Sequence, residues 1–346
     1  MNWTQKLLLW YAENKRSFLW RESRDPYKVW LSEIILQQTR TAQGLPYYQR
    51  FLESFPTIKS LALANEDEVL KLWQGLGYYS RARNLHHTAQ YIYHELGGNF
   101  PDTFHSLLKL KGVGDYTASA IASICFDIPE AVVDGNVYRF LSRYFGILTP
   151  INSSASHKEF KLKAMQLMDK DDPGTFNQAL MEFGSLHCTP KNPKCFDCPF
   201  SENCSAFNQG KILEFPVKKS TLKITKRYFN YLVVSDVQGK YLFEKRSGKG
   251  IWQNLHQFPL IESTKTLKSE KTLSAHPNYP EEFKLKTTKI KLWNVQPIVH
   301  KLSHQKLIVN FWLIELNEKK VNTLTKESIK KLAVPVVIQN FIEEFF

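Results

Sequence analysis

The 346-residue sequence predicts a mainly α N-terminal domain followed by a small α+β domain. Three observations predict it. From Asn2 to about Gly210, apolar residues recur at three- and four-residue spacing, the period of amphipathic helices. After Arg227 the period shortens, and runs rich in β-branched and aromatic residues alternate with turn residues. The charge divides at nearly the same place. Residues 1–204 carry 22 Lys and Arg against 21 Asp and Glu, and residues 205–346 carry 24 against 12.

The first stretch, MNWTQKLLLWYAENKR, has an amphipathic helical pattern. Its apolar run is too short for a signal peptide and lacks a small-residue cleavage site. No apolar run reaches the ~20 residues of a membrane span. A cytoplasmic protein with no membrane partner is expected. Helical patterns follow over Ser32–Arg40, Glu66–Gln74, Ser80–Leu96, Phe104–Leu110, Tyr116–Phe126, Asn136–Phe145, Ser156–Met168 and Phe176–His187. SAFNQGKILEFPVKKSTLKITKR reads as a polar, basic linker, placed over 205–225 between domains 1–204 and 226–346. Tyr228–Asp236, Tyr241–Arg246, Ile290–Asn294 and Leu307–Glu315 read as strands, and Lys326–Phe346 as a closing helix.

The net charge is +13 and the pI about 9.3. Nine of the eleven arginines lie in the first part, so an arginine-using domain precedes a lysine-rich one. That fits specific contacts in the first and diffuse phosphate attraction in the second. It equally fits a merely soluble basic protein.

Residues 104–126 carry the pattern helix, Lys111-Gly112-Val113-Gly114-Asp115, helix. Gly112 and Gly114 permit positive φ, and the amides opening the second helix are donors for an anion such as phosphate. The alternative is an ordinary helical hairpin. Asp134 precedes the next helical run, where Asp is a common N-cap. LKGVGDYTA followed by VVDGNVYR nevertheless resembles the helix-hairpin-helix signature of DNA glycosylases. That resemblance implies a hairpin gripping the DNA backbone and an Asp at the reaction centre.

Four of the five cysteines, Cys188, Cys195, Cys198 and Cys204, fall within seventeen residues (188–204), and Cys125 reads as a core thiol. This density in a cytosolic protein points to metal, with a four-cysteine zinc site as one physical option. The spacing C-x6-C-x2-C-x5-C after GSLHC resembles the iron–sulfur loop of the endonuclease III and adenine glycosylase group. The resemblance implies one 4Fe–4S cluster, with Lys191 and Lys194 facing phosphate.

Glu33 lies one residue after Ser32, between Leu31 and Ile34, on an apolar helical pattern, where a charge is costly unless paired or functional. Burial would raise its pKa, as a general acid requires. Gln37 and Gln38 follow, as surface residues or as groups that reach bases.

WRESRDPYKVWLSEIILQQTR, QGLGYYSRARNLH, LKGVGDYTASAIAS, AVVDGNVYRFLSR, the cysteine loop and HKLSH together resemble the adenine DNA glycosylase (MutY) family over nearly the whole chain. The resemblance implies double-stranded DNA with A·8-oxoguanine or A·G mispairs as substrate, a monomer acting at the nucleoid, and a flipped-out adenine. By the same resemblance Glu33 protonates adenine, Asp134 stabilises the oxocarbenium-like sugar or adds to it, and Tyr116 and Asn136 support them. Trp20 and Arg21 match the adenine pocket, Gln38 the wedge, and Tyr78 its partner near the opposite base. Tyr116 stands where endonuclease III relatives carry a lysine nucleophile, which implies a monofunctional enzyme. The second domain resembles a Nudix-like domain without the glutamate-rich metal helix, so pyrophosphate hydrolysis is not expected. Ser303 and His304 match residues that read 8-oxoguanine. Lys111, Leu19 and Leu302 depart from the family's usual Pro, Pro and Phe. The competing readings are an endonuclease III-like lyase and a DNA-scanning module without chemistry. Tyr116 and the extra domain argue against the first, Glu33 and Asp134 against the second.

Overall fold

The computed structural model describes residues 1–219 and 224–346. The chain forms two compact units. One comprises Met1–Ala64 and Arg83–Ser220, the other Asn65–Ala82 and Thr221–Phe346. The inclusion of Asn65–Ala82 in the second unit is not visible in a linear division at residue 204. Within that unit, Lys71 Nζ donates to the carbonyls of Lys330 and Leu332, both at 2.9 Å, and Tyr79 Oη to that of Val334 at 3.3 Å.

The first unit is helical. Asp25 caps the helix Pro26–Leu36 by accepting from Tyr27 N, and Pro26 occupies its first turn. This helix therefore begins six residues before the predicted Ser32 and ends before the predicted Arg40. Gln38 takes φ +56°, which ends the helical path. The helix Thr41–Ser54 is absent from the sequence reading because Gly44 and Pro46 look like breakers. Asp115–Phe126 forms as expected, with its small residues Ala118, Ser119, Ala120 and Ala122 buried. Pro173–Leu186 crosses close to Gly135–Phe145. A Cβ on Gly184 would lie 2.7 Å from Asn136 Cβ, so only glycine permits this approach. The core is aromatic: Phe140 and Phe183 have ring centroids 4.4 Å apart, and Trp3 and Phe200 stack around them.

Part of the predicted linker, residues 220–223, lies outside the described residues. The part before it is ordered by packing. Ser205–Asn208 is helical, Ala206 and Phe215 are buried, and Ile151 N donates to Val217 O at 3.0 Å.

The second unit is built on Thr225–Ser235, paired in parallel along its whole length with Gln305–Leu316. Leu260–Ser263 runs antiparallel to the first of these strands. Thr287–Leu292 and Ile298–Lys301 run antiparallel to the second. Alternation assigns the two faces. Leu232, Val234, Trp312 and Ile314 pack with Leu273, Tyr279 and Phe283. Tyr231 and Phe311 point the other way, and Phe311 stacks on Phe341 at 4.0 Å. The predicted closing helix is two helices, Lys326–Lys331 and Val336–Phe345, with Pro335 as N-cap of the second. The predicted strand Tyr241–Arg246 is likewise two short strands, Tyr241–Leu242 and Glu244–Lys245, in different sheets. Among the described residues, no helix is long and apolar enough to cross a membrane.

Candidate active site

In the first unit, Trp20, Arg21, Glu33, Tyr116, Asp134 and Asn136 line one cavity of about 220 Å³. A single water needs about 10–15 Å³ on this measure, so the space suits a ring-sized group. Four elements supply these residues. Trp20 and Arg21 lie on a short turn, Leu19–Arg21, where Trp20 stacks on Phe18 at 4.8 Å. Glu33 projects from Pro26–Leu36, a helix whose other central residues are buried. Tyr116 stands in the first turn of Asp115–Phe126.

Asp134 is the N-cap of Gly135–Phe145, as its position suggested, and also lines the cavity. Its Oδ1 accepts from the amides of Asn136 and Val137 at 2.9 and 2.8 Å. Its Oδ2 accepts from Asn136 Nδ2 at 2.7 Å. Arg139 Nη2 donates to Asn136 Oδ1 at 2.9 Å, which holds that amide in place. The extended approach to Asp134 is held by buried Asn177, which accepts from Val132 N and donates to Glu130 O.

The two carboxyls have different surroundings. Burial pushes Glu33 up to about 7, against the pull of the Tyr116 hydroxyl, and the charge of Asp134 adds to the rise. Burial also raises Asp134, but three hydrogen bonds favour its anion. Tyr116 is raised well above the ordinary phenol value by burial and the neighbouring carboxylates, so it is a neutral hydroxyl at pH 7. It donates to Met181 Sδ at 3.2 Å.

Sequence reasoning missed Arg16 and Glu182. Glu182 is 1% exposed and lines the cavity. Arg16 clasps it through Nε and Nη2 at 2.8 and 2.7 Å, and Arg21 Nη2 reaches it at 3.0 Å. Burial pushes Glu182 up, but hydrogen bonds from Arg16 and Arg21 hold it at about 2. The signal was available. Glu182 sits between Met181 and Phe183 on an apolar helix, just as Glu33 sits between Ser32 and Ile34.

The hairpin carries Gly112 at φ +83°. A side chain there would also meet Asn84 Cβ at 2.8 Å. Gly114 departs from expectation: its φ is −94°, ordinary extended backbone, and a Cβ on it would meet open space. Gly114 therefore leaves room in front of the helix amides and relieves no strain. In the second unit, Tyr78, at φ +48°, shares a short hydrogen bond with Ser303 Oγ. Ser303 and His304 are exposed on the turn between Ile298–Lys301 and Gln305–Leu316. His300 and Lys301 belong to the strand.

Comparison with known proteins gives two family matches. Residues 31–167 match the HhH-GPD superfamily of base excision DNA repair proteins, and residues 230–344 match a NUDIX domain. The adenine DNA glycosylase of Buchnera aphidicola subsp. Schizaphis graminum is 35% identical across 99% of this chain and 98% of its own. The chain belongs to the adenine DNA glycosylase family. The adenine DNA glycosylase of Rattus norvegicus is 45% identical over 61% of this chain and 43% of its own. A solved thermostable thymine-DNA glycosylase is 30% identical with a TM-score of 0.56, covering 60% of this chain and 95% of that one. This adenine DNA glycosylase is thus a hydrolase of N-glycosidic bonds in base excision repair.

The glycosylase's five cysteines are all free, and Cys188, Cys195, Cys198 and Cys204 line one small cavity. Arg143, 2% exposed, anchors the loop. It donates to Thr189 O at 2.7 Å, Pro190 O at 3.0 Å and Ile212 O at 3.0 Å, and reaches Cys188 Sγ at 3.4 Å. Among the described residues, no three Cys, His, Asp or Glu side chains converge as ligands of one metal ion. A zinc ion needs four thiolates about 2.3 Å from one point. A 4Fe–4S cluster instead takes its four thiolates at separate irons. Four thiols lining one cavity match in number the thiolates that a 4Fe–4S cluster takes.

Proposed function

We propose that the protein removes adenine paired with 8-oxoguanine or guanine in duplex DNA and leaves an abasic site. One observation carries the reading: two carboxyls share a ring-sized cavity, one held near neutral pKa and the other hydrogen-bonded as an anion. An extruded base enters the cavity, because its glycosidic bond cannot be reached inside the stack. Glu33 donates its proton to adenine N7. The bond from the sugar to N9 breaks, and its electron pair leaves with the base. Asp134 faces the cationic sugar; water then attacks it and gives up a proton to the Glu33 carboxylate, which restores the acid. This is the two-carboxylate logic of glycoside hydrolysis. Tyr116 and Asn136 orient the two carboxyls, and Trp20, Arg21 and Glu182 bound the base.

The remaining assignments rest on the family resemblance and on placement. Gln38 is the wedge, with Tyr78 near the opposite base, and Gly112 and Gly114 admit DNA phosphate. Ser303 and His304 read 8-oxoguanine. Cys188, Cys195, Cys198 and Cys204 hold a 4Fe–4S cluster, whose contribution is to fix the loop's shape. Residues 1–204 carry catalysis and 226–346 lesion recognition, joined by 205–225, and the protein acts as a monomer.

Single-turnover excision on duplexes bearing A·8-oxoguanine, A·G, A·T and an oxidised pyrimidine tests the proposal. The expected order is excision from the first two, little from the third and none from the fourth. The strand should stay intact until alkali is added, since Tyr116 offers no amine to attack the sugar. Cleavage as fast as base release would overturn the monofunctional assignment.

A further inference from the structure

The hairpin contains a residue of the wrong sign for its task. Asp115 is the first residue of the helix whose amino end the proposed function assigns to DNA phosphate, and it is the acidic residue of that first turn. A carboxylate there interacts well with the helix's own positive end, and so competes with an incoming phosphate. The structure draws it aside. Lys161, on the helix Ser156–Leu167, places Nζ 3.0 and 2.9 Å from the two carboxylate oxygens of Asp115. The same Nζ is 3.2 Å from Ser119 Oγ and 3.0 Å from Glu130 Oε2, and lies 4.1 Å above the Phe104 ring. His157 Nε2, one turn earlier, is 3.0 Å from Asp115 Oδ1. The Lys161 side chain is only 17% exposed, so water screens the arrangement incompletely.

We propose that Lys161 is a positioning residue for DNA binding. It neutralises Asp115 and turns it toward the helix Ser156–Leu167, which leaves the amides behind Gly114 open to a phosphate. The inference rests on the reading of the hairpin as a phosphate grip. An ordinary half-buried ion pair would contribute to folding and nothing more. The two cases separate by charge.

The test measures equilibrium binding of a mismatched duplex by the full-length protein at several salt concentrations, well below the melting temperature of each variant. Lys161→Met should weaken binding about fivefold or more at low salt, the scale of one like charge at close range. Lys161→Arg should retain affinity. Adding Asp115→Asn to Lys161→Met should recover most of the loss, because the uncompensated charge in the first turn of the hairpin's second helix is gone, while Glu130, which also loses Lys161, lies outside that turn. Asp115→Asn by itself should bind as tightly as the unaltered protein or tighter. Failure of Asp115→Asn to rescue the double variant would overturn the inference, as would weaker binding by Asp115→Asn in isolation. Gly114→Val provides the separate control. If it weakens binding while Lys161→Met does not, the hairpin reading stands and this inference fails. If it binds normally, the hairpin does not grip phosphate, and both fall.

Discussion

At the scale of single residues, Glu33 is where the fold opposes its own chemistry least gracefully and gains most from it. Burial holds the carboxyl near 7, above its ordinary 4.5, so the folded chain keeps a proton that the unfolded chain releases. Stability from this group is full at low pH and is lost as pH rises through about 7. Two outcomes are expected. Glu33→Gln should melt higher than the unaltered protein at about pH 8, and the difference should shrink at about pH 5. Excision by the unaltered protein should fall as pH rises above about 7, since the acid form is consumed. Melting curves and single-turnover profiles check both, and a flat excision profile would remove Glu33 as the proton donor. Asp134→Asn should also lose most excision. Its new amide would face Asn136 Nδ2, which now donates to Oδ2.

At the scale of elements, the cysteine loop and the Leu302–His304 turn are held differently. The loop hangs on Arg143, which satisfies carbonyls on both sides of it. Arg143→Met would leave those part-buried carbonyls without this partner and loosen the loop. It should give poorly soluble protein with little iron. Anaerobically purified unaltered protein should hold about four irons per chain, as one cluster requires. One zinc and no iron by elemental analysis would refute that. The turn is short and exposed at Ser303 and His304, and it joins the four-residue strand Ile298–Lys301 to the twelve-residue strand Gln305–Leu316, a mount for reading a base. Ser303→Ala combined with His304→Ala should lower the preference for A·8-oxoguanine over A·G while A·G excision changes little. An unchanged ratio would place lesion reading elsewhere. Leu302 replaces the family's aromatic and forgoes base stacking of roughly 1–3 kcal/mol, so that preference should already be modest.

At the scale of the whole molecule, the excess of +13 predicts duplex binding dominated by counterion release. Affinity for unmodified duplex should fall linearly on logarithmic axes as salt rises. Excision at saturating enzyme should respond far less, because Glu33 and Asp134 act from half-buried positions in the cavity. A salt-independent affinity would show that the lysine-rich half does not meet phosphate.

The sequence by itself determined the division into a helical part and an α+β part, the cysteine spacing and the conspicuous charge at Glu33. These are features of local period and composition, and each is written in neighbouring residues. Glu33 could be singled out because a charge among apolar neighbours is conspicuous without coordinates. Tertiary structure decided which distant residues share a cavity. Glu182 joins Arg16 and Arg21 only because Pro173–Leu186 packs beside the Leu19–Arg21 turn. It decided that Asn65–Ala82 packs with the second half of the chain, through Lys71 and Tyr79. It also decided the sign of Gly114's φ and the clasp of Lys161 on Asp115, 46 residues apart. Periodicity records which face of an element is buried, but the partner that buries it is chosen by packing across the fold.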